Sequence, residues 1–126
     1  MTDQKPITTQ IDGRVGILRF NRPQVMNAFD TALIEATNQA MNDFMADDAV
    51  LAIIICGHGR CFSAGFDMKE SAARGIRGQD EWRKVLTKDF DFIMQFWHAP
   101  KPTIAAAHGY CIGGAMELLM ACDLSV

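Results

Sequence analysis

The chain lacks any run of about 18 uncharged apolar residues, the minimum a helix needs to cross a bilayer, so no membrane partner is expected. Its polar start, Met1-Thr2-Asp3-Gln4-Lys5-Pro6, has no apolar stretch of the signal-peptide kind, which makes the cytoplasm the expected compartment. Only four cysteines occur, at 56, 61, 111 and 122. None has Cys-x-x-Cys spacing or a neighbouring His pair, which excludes a sequence-evident zinc site and a disulfide framework; they read as reduced thiols. Lys and Arg are missing altogether from residues 28–56, which carry five acids. A net charge of −3 argues against a nucleic-acid partner. Residues 57–84 carry a basic excess, six basic groups against four acids, where an anionic small molecule is best received.

What is present is the composition of a soluble α/β domain: 126 residues, 49% apolar and 21% charged. Residues 8–11 and 15–20 read as two strands joined by the Asp12-Gly13 turn. Asp30 caps a helix whose apolar positions Leu33, Ile34, Thr37, Met41, Phe44 and Met45 recur with helical period up to Asp47-Asp48. The continuous apolar run 51–56 predicts a strand covered on both faces, central in a parallel sheet. From Asp80, the positions Trp82, Val85/Leu86, Phe90, Ile93 and Phe96/Trp97 predict a second long helix, ended by Pro100 and Pro102. Phe90, Phe92, Phe96 and Trp97 are expected in the core or the wall of a pocket. A strand at 103–107, a turn at 109–113, a helix at 115–122 and a strand from Leu124 complete the alternation. The Gly-rich and Arg-rich stretch 72–78 is expected to be mobile.

Ligands of α/β proteins gather at the carboxyl ends of strands, which directs attention to two glycine-containing turns, 57–69 and 108–117. Neither holds the third glycine of a dinucleotide fingerprint or the Gly-Lys-Ser/Thr of a P-loop. What remains is backbone N–H groups at a tight turn and at a helix start, where the first amides have no intrahelical partner and favour negative charge.

Three stretches then carry a resemblance: Phe-Ser-Ala-Gly-Phe-Asp-Met-Lys at 62–69, Gly-Tyr-Cys-Ile-Gly-Gly-Ala-Met-Glu-Leu at 109–118, and Asn21-Arg22-Pro23 with Asn27-Ala28. In order and spacing they are similar to the signatures of the enoyl-CoA hydratase/isomerase (crotonase) family. The resemblance runs from about Ile7 to Val126. It implies an α/β fold of the crotonase β-β-α superhelix type, with residues 1–126 forming the N-terminal part of the core domain: the CoA cradle and the oxyanion hole.

By position, the resemblance places the two oxyanion-hole amides on Phe66 and Gly114. It places CoA contacts on Ala64, Gly65, Asp67 and Met68, with Ala64 and Met68 offering backbone atoms to the adenine. Ala28 then lines the CoA opening, while Lys69 or Arg22 faces the phosphates; Gln24 stands where many members carry lysine. The residue type at 66 is expected to matter less than the turn, and a Cβ at 114 is expected to crowd the thioester oxygen. Glu117, the only acid of the second turn, falls where the family's hydratases carry the first of two catalytic glutamates; its partner is expected beyond Val126. The implied activity is that of a hydro-lyase: syn addition of water to a 2-enoyl-CoA, without metal or redox cofactor, in a homo-oligomer of the trimer or hexamer type.

Two other readings stand beside it. One is an isomerase or another acyl-CoA reaction of the family; the other is a non-catalytic acyl-CoA-binding module. A Ser63 nucleophile is disfavoured, because Cys61-Phe62-Ser63-Ala64-Gly65 lacks the leading glycine of the elbow and no triad order can be built. His58, His98 and His108 lack metal-ligand spacing.

Overall fold

A computed structural model describes residues 4–126; residues 1–3 of the polar start lie outside it. Strands β1 (Ile7–Asp12) and β2 (Val15–Phe20) pair antiparallel, Ile7 opposite Phe20 and Asp12 opposite Val15, around the Asp12-Gly13 turn. After a 3₁₀ turn at Pro23–Val25 comes helix α1 (Thr31–Ala46). The Asp30 carboxylate accepts from Leu33 N at 2.8 Å, the expected cap, which stabilises a helix start by about 1 kcal/mol.

Strand β3 (Ala52–Gly57), helices α2 (Met68–Ala73) and α3 (Gln79–His98), strand β4 (Thr103–Ala105), helix α4 (Gly114–Ala121) and strand β5 (Leu124–Ser125) follow. The sheet order is β1-β2-β3-β4-β5, parallel from β2 onward. β3 is the middle strand, as its apolar run predicts. Its residues alternate, however: Ile53 and Ile55 are buried, Ala52, Ile54 and Cys56 half-buried. One face of the sheet is therefore sealed and the other only partly covered.

The sealed face holds Leu18, Phe20, Leu33, Ile53, Ile55, Phe62, Phe92, Phe96 and Leu118. A file of edge-to-face rings crosses it: Phe20 to Phe29 at 5.2 Å, Phe29 to Phe92 at 5.2 Å and Phe92 to Phe96 at 6.0 Å. Such pairs each add about 0.5–1.5 kcal/mol beyond the area they bury.

Helix α3 forms where its apolar period predicts, but only part of the stripe enters the core. Phe92, Ile93 and Phe96 are buried, but Phe90 and Trp97 are 62% and 65% exposed, and Trp82 and Leu86 also face outward. The helix has two apolar faces, and periodicity alone does not say which one meets the sheet. The stretch 72–78 begins inside a helix. Ala72 and Ala73 finish α2, and Arg74 Nη2 donates to Thr31 Oγ1 at 2.9 Å and to Glu70 Oε2 at 3.2 Å.

All four cysteines are free. Burial pushes the Cys122 thiol up to about 11, so little thiolate exists near neutral pH. Alkylation of Cys122 by iodoacetamide at pH 8 is expected to run about 10²-fold slower in the native chain than in the urea-unfolded one, in proportion to thiolate fraction. Mass spectrometry of time-quenched samples reads this, and equal rates would show the thiol to be fully hydrated. Among the described residues, no helix is long and apolar enough to cross a membrane.

Candidate functional site

The two glycine-containing turns are stitched into one unit. Phe62 N donates to His108 O at 2.7 Å, Ser63 N to Tyr110 O at 3.2 Å, and Ile112 N to Ser63 O at 3.2 Å. Ser63 and Cys111 thus form a parallel bridge outside the main sheet. Gly109 permits the approach: with φ +60°, it lies where a Cβ would stand 2.2 Å from Arg60 O. Ser63 is fully buried, its Oγ donating to Asn27 O at 2.7 Å and accepting from Gly65 N at 3.0 Å. That is a structural hydroxyl without access to a substrate.

A second short bridge pairs Phe29 with Phe66. Phe29 N donates to Gly65 O at 2.8 Å and Asp67 N donates to Phe29 O at 3.0 Å. In a parallel bridge of this kind the bonds are made by the residues before and after position 66, so the N–H of Phe66 itself points away from Phe29. Among the described residues no acceptor takes it. The same holds for Gly114 N, because Gly114 is the first residue of α4 and its N-cap, Gly113 at φ +57°, makes no side-chain cap.

These two open amides belong to touching backbones. A Cβ on Gly65, φ +87°, would stand 2.6 Å from Ile112 O and 3.0 Å from Gly114 N. A Cβ on Gly114 would stand 2.4 Å from Phe66 Cε2. The neighbour that a side chain at 114 meets is therefore the Phe66 ring, where sequence reasoning put a ligand oxygen. Phe66 also matters as a side chain, since its ring packs edge-on against Phe29 at 5.7 Å and Phe92 at 6.3 Å.

Glu117 lies in the first turn of α4, three residues beyond Gly114, and is exposed. It is not the only acid nearby. Helix α3 packs on α4 and brings Asp89 into electrostatic range. Burial pushes the Asp89 carboxyl above its usual range; Arg74 opposes this, while the charges of Glu117 and Glu70 add to it. Sequence reasoning passed over Asp89, although its place one turn before buried Phe92 and Ile93 marks an acid on a packed helix face.

Arg22 is held by acids. Its Nη2 lies 3.0 Å from Asp30 Oδ2 and its Nη1 3.3 Å from Asp67 Oδ2, and Nη1 also donates to Ala28 O. Asp67 caps α2 by accepting from Lys69 N at 3.0 Å and Glu70 N at 3.1 Å. The Glu70 amide, with the Arg22 guanidinium beside it, holds the Asp67 carboxyl below the usual carboxylate range. Met68 and Lys69 project outward from this turn, and Ala64 is half-buried with its N–H on Met26 O at 2.9 Å.

Asn27, whose role its motif alone does not reveal, is the hub of these segments. Fully buried at φ +53°, it donates through Nδ2 to His58 O, Cys61 O and Phe62 O at 2.9, 3.0 and 3.1 Å. Its Oδ1 accepts from Arg22 N at 2.9 Å. Of the histidines, His58 Nε2 bonds Thr8 Oγ1 at 2.9 Å and His108 Nε2 bonds Gly59 O at 2.8 Å. Among the described residues, no three His, Cys, Asp or Glu side chains gather as metal ligands.

Comparison with known proteins places this geometry. The mitochondrial enoyl-CoA hydratase of Pongo abelii is 40% identical over 110 residues, 87% of this chain and 36% of that protein. A probable enoyl-CoA hydratase of Rhizobium meliloti is 37% identical across 95% of this chain and 45% of its own length. The crystal structure of an enoyl-CoA hydratase/isomerase from Xanthobacter autotrophicus Py2 superposes with a TM-score of 0.93 at 43% identity, covering 97% of this chain and 45% of that one. The chain thus spans less than half the length of these relatives. A family profile described as enoyl-CoA hydratase/isomerase matches residues 10–126, and with the superposition this establishes that the chain belongs to that family and carries the N-terminal part of the crotonase fold.

Proposed function

We propose that the chain supplies the oxyanion hole and the general base of an enoyl-CoA hydratase. One observation carries the reading: two amides without acceptors among the described residues, on backbones in contact, with a carboxylate one helical turn beyond. The N–H groups of Phe66 and Gly114 donate to the thioester oxygen. Glu117 takes a proton from water as the water oxygen bonds to Cβ of the 2-enoyl group, and the alkene electron pair moves through Cα onto the thioester oxygen. An acid outside residues 1–126 then protonates Cα. Each pre-aimed amide lowers such a barrier by about 3 kcal/mol, because charge grows on the oxygen only as the reaction proceeds.

CoA lies along Ala28, Ala64, Gly65, Asp67 and Met68, with Lys69 at the phosphates; the Arg22 guanidinium is already engaged by two carboxylates. The assembly we expect is a trimer or pair of trimers, working in the cytoplasm without metal or redox cofactor.

Glu117→Gln in the complete protein is expected to lower kcat by at least ~10²-fold with little change in acyl-CoA affinity, the pattern of a lost general base. Loss of the conjugated-thioester absorbance of a 2-enoyl-CoA follows the reaction. Undiminished kcat would remove Glu117 from the mechanism, and binding without turnover by the unsubstituted protein would favour the non-catalytic module.

A further inference from the structure

Among the described residues, Arg22 is the one cation whose charge is met by two carboxylates from different parts of the chain, and the arrangement has a direction. Ala28 and Asp30 flank Phe29 on one side of the short bridge, and Gly65 and Asp67 flank Phe66 on the other. The Arg22 guanidinium reaches Ala28 O and Asp30 on the first side and Asp67 on the second. It therefore crosses the bridge that fixes Phe66. The side chains concerned are only 19%, 20% and 14% exposed, so water competes weakly for them. Its own backbone is held in turn, Arg22 N donating to Asn27 Oδ1 and Asn27 N to Arg22 O, both at 2.9 Å.

We propose that Arg22 is a positioning residue: its planar guanidinium staples the 28–30 segment to the 65–67 segment, so that the Phe66 N–H stays aimed at the thioester oxygen. This rests on the acyl-CoA reading above. The bridge has only two backbone bonds, too few to hold a peptide plane against the loop beyond it. Arg22 adds a rigid fork at both of its sides, a geometry a lysine point charge does not reproduce. Because an oxyanion donor acts only when aimed, loosening the fork costs turnover before it costs binding.

The test uses the complete protein with Arg22→Gln and Asp67→Asn. Asn still caps α2, so the second variant breaks the ion pair with the helix start kept. Acetoacetyl-CoA serves as probe, since its enolate has a near-ultraviolet absorbance and, at a fixed near-neutral pH, its fraction rises when its oxygen is stabilised. Both variants are expected to bind it within about threefold of the unsubstituted affinity, to show a clearly smaller enolate absorbance, and to have kcat toward a 2-enoyl-CoA lowered about tenfold. Unchanged enolate absorbance and kcat in folded variants overturn the staple and leave the acyl-CoA reading standing. A large loss of affinity with kcat retained also overturns it, and returns Arg22 to the CoA phosphates. If the unsubstituted protein does not bind acetoacetyl-CoA, the acyl-CoA reading falls and the staple with it.

Discussion

Gly65→Ala is expected to lower kcat of the complete protein by ~10²-fold and to lower unfolding free energy by about 3–5 kcal/mol. Two costs combine. At φ +87° an L-residue is strained by about 1–3 kcal/mol, and the new methyl would meet Ile112 O at 2.6 Å and Gly114 N at 3.0 Å, an overpacking cost of about 1–3 kcal/mol. Both neighbours are backbone, so relief requires the two loops to part. Parting them moves the Gly114 amide relative to Phe66, and a displacement of about 1 Å is enough to cost ~10²-fold in rate. Gly78 provides the control: it has the same φ, +87°, with nothing within 4 Å of its would-be Cβ. Gly78→Ala should show the strain alone. Urea denaturation and kcat of both variants separate the terms, and a Gly65→Ala protein no worse than Gly78→Ala would contradict the contact between the loops.

What the sequence disclosed was local. The Asp12-Gly13 turn, the Asp30 cap, the apolar run of β3 and the glycine-led start of α4 are each decided within a few residues, and each appears where expected. Helix α2 was missed because six residues span too few turns to show a period; its only sign is Asp67, which caps it. The α3 helix is legible from its period, but which of its apolar residues enter the core is not, because it offers apolar residues on two faces and the sheet selects one. The candidate site divides in the same way. Phe66, Gly114 and Glu117 were legible through their motifs, but the partners that fix them are remote in sequence: Arg22 meets Asp67 across 45 residues, and the ring over Gly114 comes from the other loop. Charge and period in a single stretch carry no information about such pairs.

The largest stability loss is expected at Asn27. Its Nδ2 faces three carbonyls and its Oδ1 one amide, all from the segments that shape the site. Asn27→Ala leaves two buried carbonyls and two part-buried groups without this partner, and since each costs about 1–3 kcal/mol when some find water, a loss of about 4–6 kcal/mol is expected. That is comparable with the whole stability of a marginal domain, about 5–15 kcal/mol. The backbone contributes separately, because φ is +53° and asparagine tolerates this region better than alanine does. Asn27→Gly distinguishes the two, since glycine relieves the conformational strain and restores no hydrogen bond. If the amide is the hub, Asn27→Gly recovers at most about 1 kcal/mol of the Asn27→Ala loss. Full recovery by glycine would instead make position 27 a matter of backbone conformation, and His58 O, Cys61 O and Phe62 O would then have to be satisfied by water admitted between the segments.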